Sequence, residues 1–272
     1  SGWGDCFLCG GIESMSRIKR RGFNWSPHPI LEKEFPDAYI NMGLTAENVA
    51  DRWGISRISQ EEFALNSHMK SIHARDNGHF ESEICPIITQ DGSIAEDGCI
   101  RDTSLESMSK LRPVFREDGS VTAATSSPLT DGAVCMLVCS SDFAEKNGLE
   151  PLARIVTSAV TGCSPDAMGI GPVSATQKLL ERSDWNIDDV DIFEINEAFS
   201  SQSIAVINDL SIDYEKVNID GGAISIGHPL GASGARIVGK AASILHRTNS
   251  RKAIATMCIG GGMGISIALE RY

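Results

Sequence analysis

A histidine inside a glycine-rich turn and a cysteine ahead of a glycine run are the residues of this chain best suited to chemistry. His228 stands within Gly221-Gly222-Ala223-Ile224-Ser225-Ile226-Gly227-His228-Pro229-Leu230-Gly231-Ala232-Ser233-Gly234-Ala235. Glycines let a backbone bend tightly and approach a ligand closely. An imidazole held there, at a strand-to-helix turn, suits proton transfer or the holding of an oxyanion; the alternative is a structural histidine. Cys258-Ile259-Gly260-Gly261-Gly262-Met263-Gly264 ends a strand in a cysteine, and the backbone N–H groups of its glycines can form an anion-binding nest. A thiol at that point with a histidine nearby suggests thiol chemistry; the alternative is a buried structural cysteine beside a turn. Asn196-Glu197-Ala198-Phe199 follows an apolar strand, and ligands of open α/β sheets bind beyond the carboxyl ends of strands. Asn196 is equally well placed simply to cap the next helix. A dinucleotide site is disfavoured, because Gly-x-Gly-x-x-Gly in its usual order is absent.

Strands and helices must hold these segments. Residues 6–9 read as a short buried strand ending at Gly10-Gly11, followed by a basic, Pro-containing loop over 17–29. Thr45 is expected to cap a helix to Trp53, and Ser59-x-x-Glu62 is a capping box opening a helix to about Asn77. Residues 83–89 suggest a strand, and Thr103-x-x-Glu106 the cap of a short helix. The apolar run 133–139 predicts a strand covered on both faces. A helix to Lys146 follows it. Strands are then expected at 153–159, 190–194, 217–219, 254–258 and 264–269, with helices at 172–182, 197–210 and 232–245 between them. Strand alternating with helix argues an α/β layered architecture, and the helix-rich stretch 17–116 reads as an insertion into it.

Bulk properties narrow the partners. The 272 residues carry a formal net charge of −12, which argues against nucleic acid and requires any grip on phosphate to be local. No apolar run approaches the roughly 18 residues of a membrane span. The chain opens at Ser1 without Met, basic n-region or apolar h-region, so no targeting peptide is expected and the sequence reads as part of a larger protein. The 8 cysteines, irregularly spaced and mostly in apolar runs, read as reduced, buried thiols of a cytosol-like compartment. Cys6-x-x-Cys9 has a redox spacing but lies inside an expected strand, which disfavours redox or zinc chemistry there.

The three glycine- and asparagine-bearing segments, in this order, resemble the C-terminal signatures of the thiolase family. The resemblance runs end to end. Gly10-Gly11-Ile12-Glu13-Ser14-Met15-Ser16, Met42-Gly43-Leu44-Thr45-Ala46-Glu47-Asn48, Leu111-Arg112-Pro113, Thr122-Ala123-Ala124-Thr125-Ser126-Ser127 and Met168-Gly169-Ile170-Gly171-Pro172 also match. The resemblance implies a thiolase-like layered α/β fold of two βαβαβαββ halves. Residues 1–16 and 117–148 would end the first half, 17–116 would be the inserted loop domain, and 149–272 the second half.

The resemblance also implies two-step acyl transfer: thiolytic cleavage of 3-ketoacyl-CoA, as in β-oxidation, or the reverse Claisen condensation. His228 would activate a nucleophilic cysteine and help bind the thioester oxyanion. Cys258 would be the acid/base, Asn196 would position a water in a second oxyanion hole, and Gly260 would contribute backbone N–H groups. Arg101, Ser107 and Ser127 match CoA-contacting positions, Ala198 and Phe199 line the pantetheine tunnel, and Met42 and Met168 line the acyl end. No metal and no cofactor are implied, with coenzyme A as substrate and a homodimer or homotetramer as the assembly. A cytoplasmic location is expected, or an organelle matrix if a transit peptide precedes Ser1.

Two departures matter. The family's nucleophile lies in a Cys-Gly-Ser-Gly-type motif that occurs nowhere here, so the chain alone is expected to be inactive. Short-chain biosynthetic members carry His before the Met of Met-Gly-x-Thr-Ala-Glu-Asn, where this chain has Asn41, which leans toward a degradative 3-ketoacyl-CoA thiolase. The alternatives are a truncated, non-catalytic homologue that binds CoA or dimerises, and a short-chain acetoacetyl-CoA thiolase. A ketoacyl synthase is disfavoured by Cys258, since those enzymes pair cysteine with two histidines.

Overall fold

A computed structural model describes residues 2–18 and 22–272, so the loop expected over 17–29 lies partly outside the described residues. In chain order the elements are β1 (Cys6–Ser14), α1 (Pro29–Glu34), α2 (Met42–Arg52), α3 (Arg57–Asp76), β2 (Ile87–Thr89), β3 (Gly92–Ile94), α4 (Leu105–Ser109), β4 (Asp131–Cys139) and α5 (Ser141–Asn147). They continue as β5 (Arg154–Gly162), α6 (Gly171–Ser183), β6 (Ile192–Ile195), α7 (Ser200–Asp209), α8 (Ala223–Ile226), α9 (Leu230–Thr248), β7 (Lys252–Ile259) and β8 (Met263–Glu270). The architecture is mixed α/β and layered.

The larger sheet has the order β5-β8-β7-β6, with β6 parallel to β7 and the other neighbours antiparallel. One face packs Phe193, Ile195 and Ile254 against Leu179 of α6 and Val206 and Ile207 of α7. The other packs Ile192, Ala253, Ala255 and Leu269 against Ile237, Ala241, Ile244 and Leu245 of α9. Covered on both faces, β6 is buried at every position, its one polar residue Glu194 included. The strand expected at 217–219 is reduced to a single bridge between Val217 and Phe193.

β1 and β4 form a separate antiparallel pair in continuous register from Cys6 opposite Cys139 to Ser14 opposite Asp131. Helix α9 touches both of them on one side and β6, β7 and β8 on the other, so it is the wall shared by the two sheets. Here two expectations fail. β1 does not end at the glycine pair but runs through it, because Gly11 is where β1 meets α9: a Cβ there would collide with the carbonyl of Gly231. Nor is the apolar run of β4 covered on both faces. Among the described residues no layer covers the side away from α9, where Leu8 and Ile12 are 77% and Leu137 49% exposed. The thiols follow suit: Cys258 alone of the 8 is buried, while Cys9, Cys85 and Cys135 are exposed, against the expectation of mostly buried cysteines.

Between β1 and β4 the chain makes a long excursion carrying α1 to α4 and the β2–β3 hairpin. Two of its helices start slightly upstream of the expected caps, and α4 starts one residue downstream. Asn41 accepts from Gly43 N–H (2.8 Å) to cap α2, Ser56 from Ser59 N–H (3.1 Å) to cap α3, and Ser104 from Ser107 N–H (3.3 Å) to cap α4. Thr45 instead turns its hydroxyl to the Met42 carbonyl at 2.6 Å. The strand expected over 83–89 shortens to β2, which pairs with β3. Helices α2 and α3 pack on α7, and α3 also packs on α8, so the excursion lies on the elements that carry the glycine-rich segments.

Candidate active site

β6 and β7 run parallel, with Ile195 beside Thr256, and Asn196 N–H donates to the Thr256 carbonyl at 2.9 Å. Asn196 and Cys258 therefore leave the same end of the sheet. The helix-cap alternative for Asn196 fails, because α7 starts later, with Phe199 as its N-cap residue. The Asn196 amide instead meets the His228 ring, Nδ2 to Nε2, at 3.2 Å.

His228 sits between α8 and α9 in a tightly folded turn. Gly227 has φ +108°, a conformation that side chains rarely adopt, and a Cβ there would stand 2.6 Å from Thr130. Thr130 Oγ1 accepts from His228 N–H (3.1 Å) and donates to the Pro128 carbonyl (2.7 Å). The ring's other nitrogen, Nδ1, lies 2.6 Å from Ser233 Oγ. At the start of α9, Glu13 of β1 accepts from Gly231 N–H at 3.2 Å, a carboxylate at the positive end of the helix dipole.

Cys258 is 7% exposed and belongs to an apolar cluster with Ala46, Val121, Met168, Ala198 and Phe199, flanked by Met42 and Phe115. Burial pushes its thiol up to about 12, and Cys163 adds to the rise. The thiol is therefore neutral at physiological pH, the state of a proton donor. The turn after β7 is shaped by Gly261 and Gly262, at φ +87° and +91°. Gly260 precedes them, exposed, with Met42 Sδ 3.6 Å from where its Cβ would stand.

Of the residues singled out in the sequence, Met42, Met168, Ala198, Phe199 and Cys258 meet in that one cluster. Ser127 joins through its N–H, which donates to the Ala198 carbonyl at 3.0 Å. Arg101 and Ser107 lie outside it, both exposed. The Arg101 N–H donates to His68 Nδ1 (3.3 Å), and the Ser107 hydroxyl donates to the Ser104 carbonyl (2.8 Å) within the α4 cap.

Sequence reasoning missed a buried carboxylate network beneath these loops. Glu197 accepts from Ser67 Oγ (2.7 Å), Asn218 Nδ2 (2.7 Å) and Ile224 N–H (3.1 Å). Burial raises its pKa, and those three donors oppose the rise. Ser67 lies on α3, far away in the chain, so no local pattern announces the contact. Glu194 is 1% exposed on β6, and burial pushes it up to about 8 against the pull of Arg236 and Lys240. A glutamate in an otherwise apolar strand was the available signal. Among the described residues no group of three or more His, Cys, Asp or Glu side chains is placed to hold a metal ion.

Comparison with known proteins identifies the family. The family model described as thiolase, N-terminal domain, matches residues 1–142, and that described as thiolase, C-terminal domain, matches 149–271. An acetyl-CoA acetyltransferase of Chromobacterium violaceum is 40% identical over 289 residues, covering 100% of this chain and 74% of the relative. A 3-ketoacyl-CoA thiolase of Marinobacter nauticus is 45% identical over 282 residues, covering 100% and 72%. The crystal structure of human mitochondrial 3-ketoacyl-CoA thiolase in complex with CoA superposes with a TM-score of 0.89 at 38% identity, over 98% of this chain and 71% of that one. The dimeric peroxisomal thiolase of Saccharomyces cerevisiae gives 0.92 at 39% identity, over 100% and 70%. Matched over 1–142 and 149–271 by the two family models, with Asn196 following β6, His228 bonded to it and Cys258 near the end of the neighbouring β7, this chain belongs to the thiolase family.

Proposed function

We propose that this chain supplies the acid–base and oxyanion chemistry of acyl transfer between coenzyme A thioesters, acting on 3-ketoacyl-CoA. The observation that carries the reading is the Asn196–His228 contact at the end of β6, with the buried Cys258 thiol of the methionine-lined apolar cluster near the same end of the neighbouring strand β7. A nucleophilic thiolate attacks the keto carbon, with His228 taking the thiol proton. The C2–C3 bond breaks, and its electron pair forms an acetyl-CoA enolate. The neutral Cys258 thiol protonates the enolate carbon, which releases acetyl-CoA. A second CoA thiol, losing its proton to the Cys258 thiolate, then takes the acyl group and restores both cysteines. Asn196, through a water, and the N–H groups at Gly260 would stabilise the developing oxyanion. Met42 and Met168 give a soft, adaptable wall suited to alkyl chains.

CoA is substrate in this scheme, held by Arg101, Ser107 and Ser127 and passing Ala198 and Phe199, with no cofactor and no metal. The degradative direction draws support from Asn41, whose side chain is spent on capping α2. The working assembly is a homo-oligomer, and among the described residues no helix is long and apolar enough to cross a membrane. The domain limits that go with this reading are 1–16 and 117–148 for the first half, 17–116 for the insertion and 149–272 for the second half.

The sequence contains no Cys-Gly-Ser-Gly motif, so the nucleophile lies outside these residues. Incubated with 3-ketoacyl-CoA and CoA, the chain as it stands is expected to release no acetyl-CoA above background. Supplied with a segment bearing the nucleophile, it should turn over. In that active form Cys258→Ser should lower cleavage by about 10²–10⁴-fold, the loss typical of one acid/base group, while acyl-enzyme formation from a simple thioester survives. His228→Ala should impair both steps. Near-normal thiolysis in Cys258→Ser would refute the acid/base role, and turnover by the unsupplemented chain would show that one of its own cysteines is the nucleophile. The absent motif also favours a second reading, a non-catalytic CoA-binding homologue. CoA binding with no turnover after the nucleophile is supplied would establish it.

A further inference from the structure

We propose that Ser233 is a positioning residue that fixes which ring nitrogen of His228 exchanges protons. The proposal rests on the acyl-transfer reading for its purpose, but its geometry stands alone. Ser233 lies in the first turn of α9 and is 0% exposed. Its Oγ is 2.9 Å from the Pro229 carbonyl and 2.6 Å from His228 Nδ1. A hydroxyl has one proton, and a carbonyl can only accept. With that proton committed to Pro229, Oγ must accept from Nδ1–H. The reverse arrangement, Oγ–H donating to Nδ1, would leave two oxygen lone pairs facing each other at 2.9 Å in a buried site.

Neutral His228 is therefore the Nδ1–H tautomer, the opposite of the form a histidine favours in water. Its Nε2 lone pair faces the Nδ2 donor of Asn196, a complementary contact. Thr130 locks the backbone in the same manner, accepting from His228 N–H while its own proton goes to Pro128. The arrangement also accommodates the charged ring. When Nε2 takes a proton, Nδ1–H···Oγ–H···O=C is unchanged and now supports an imidazolium, which strengthens it. No proton passes through Ser233. What must change is Asn196: two donors would face each other, so the amide turns to present Oδ1. That oxygen is buried and has no partner in the neutral arrangement. Protonation of His228 thus frees the Asn196 N–H₂ group at the step in which an oxyanion needs donors.

The test is the ¹⁵N spectrum of the imidazole in this chain, with the His228 signals assigned by their loss in His228→Asn. The expected wild-type signature at neutral pH is a protonated Nδ1 and an unprotonated Nε2. In Ser233→Ala the Nδ1–H to Nε2–H ratio should fall by roughly tenfold, the worth of one hydrogen bond. Ser233→Thr, which keeps the oxygen, should restore the wild-type signature. A wild-type ring protonated on Nε2 overturns the proposal, and so does a folded Ser233→Ala with an unchanged ratio. Should Ser233→Ala not fold, the wild-type spectrum still decides. No CoA and no turnover enter the measurement. The expected tautomer in a chain that fails to transfer acyl groups even with its nucleophile supplied would refute acyl transfer and leave Ser233's role standing.

Discussion

At pH 8 a thiol pushed up to about 12 holds roughly 10³-fold less thiolate than an ordinary cysteine, and thiolate is what alkylating reagents attack. Iodoacetamide at pH 8 should therefore label exposed Cys9, Cys85 and Cys135 of the folded chain while Cys258 stays unmodified, as read by peptide mass spectrometry, and denaturant should abolish the difference. Glu194 makes the complementary case among the carboxyls. Burial raises it to about 8, with Arg236 and Lys240 opposing, and Asp220 and Glu197 adding to the rise. Its folded pKa lies above its unfolded one, so the native state binds the extra proton. The stabilising contribution is complete below about 4.5 and is lost as pH rises through about 8. Glu194→Gln should flatten the decline in unfolding free energy across that window, measured by urea denaturation at several pH values. A variant whose stability fell with pH as steeply as wild type would show that the carboxyl ionises freely. His228 and Cys258 were legible at this scale because glycines beside a reactive group are a local pattern. Ser233 was in plain view in the same segment, yet its bond to the ring depends on the turn between Pro229 and α9, which no spacing encodes.

Helix α9 carries a polar stripe at helical spacing, Ser233, Arg236, Lys240, Ser243 and Arg247, on a helix otherwise packed between apolar faces. Lys240, 4% exposed, donates to Glu83 (2.9 Å) and Asp220 (3.0 Å), and Ser243 donates to Glu83 (2.7 Å). Arg247 grips both Asp220 oxygens at 2.8 Å. The stripe thus ties the excursion to α9 and to the loop that precedes α8. Burial alone would raise Asp220, but Arg247 and Lys240 outweigh it and hold the carboxyl below its usual range. Its contribution is therefore present above the unfolded carboxylate range and lost as pH falls through the depressed folded value. Asp220→Ala leaves the buried Lys240 ammonium to Glu83 alone and removes both Arg247 bonds, and should cost about 3 kcal/mol in chemical denaturation. A cost within 0.5 kcal/mol or so of zero, the range of ordinary surface changes, would mean the network contributes little. The sequence showed α9's apolar face but not this stripe, whose partners Glu83 and Asp220 come from separate loops. Helix starts were misplaced for a simpler reason. Asn41 and Thr45, Ser56 and Ser59, and Thr103 and Ser104 are closely spaced residues of cap-forming type, and tertiary packing chose among them.

On the scale of the whole molecule, the alternation of strand and helix after residue 150 was readable because β6 and β7 lie between two helical layers and are mostly apolar. The β1–β4 pair was misjudged, since an apolar run looks the same whether one face or both are covered. The open face of Leu8, Ile12 and Leu137 should bind a hydrophobic dye, and Leu8→Lys with Leu137→Glu should remove most of that fluorescence without lowering the thermal midpoint. The position of α9 has a consequence in time. A helix walled by a sheet on each side cannot expose its amides by local fraying, because opening it separates both sheets at once. Its central N–H groups, with those of β7, should exchange with deuterium only through global unfolding and so report the full stability of the chain. The amides of β2 and β3, in an exposed two-stranded hairpin, should exchange orders of magnitude sooner. The loop that holds His228 is thus anchored to a helix that should open only with the whole fold, so the geometry around the imidazole, once formed, should persist for as long as the fold does.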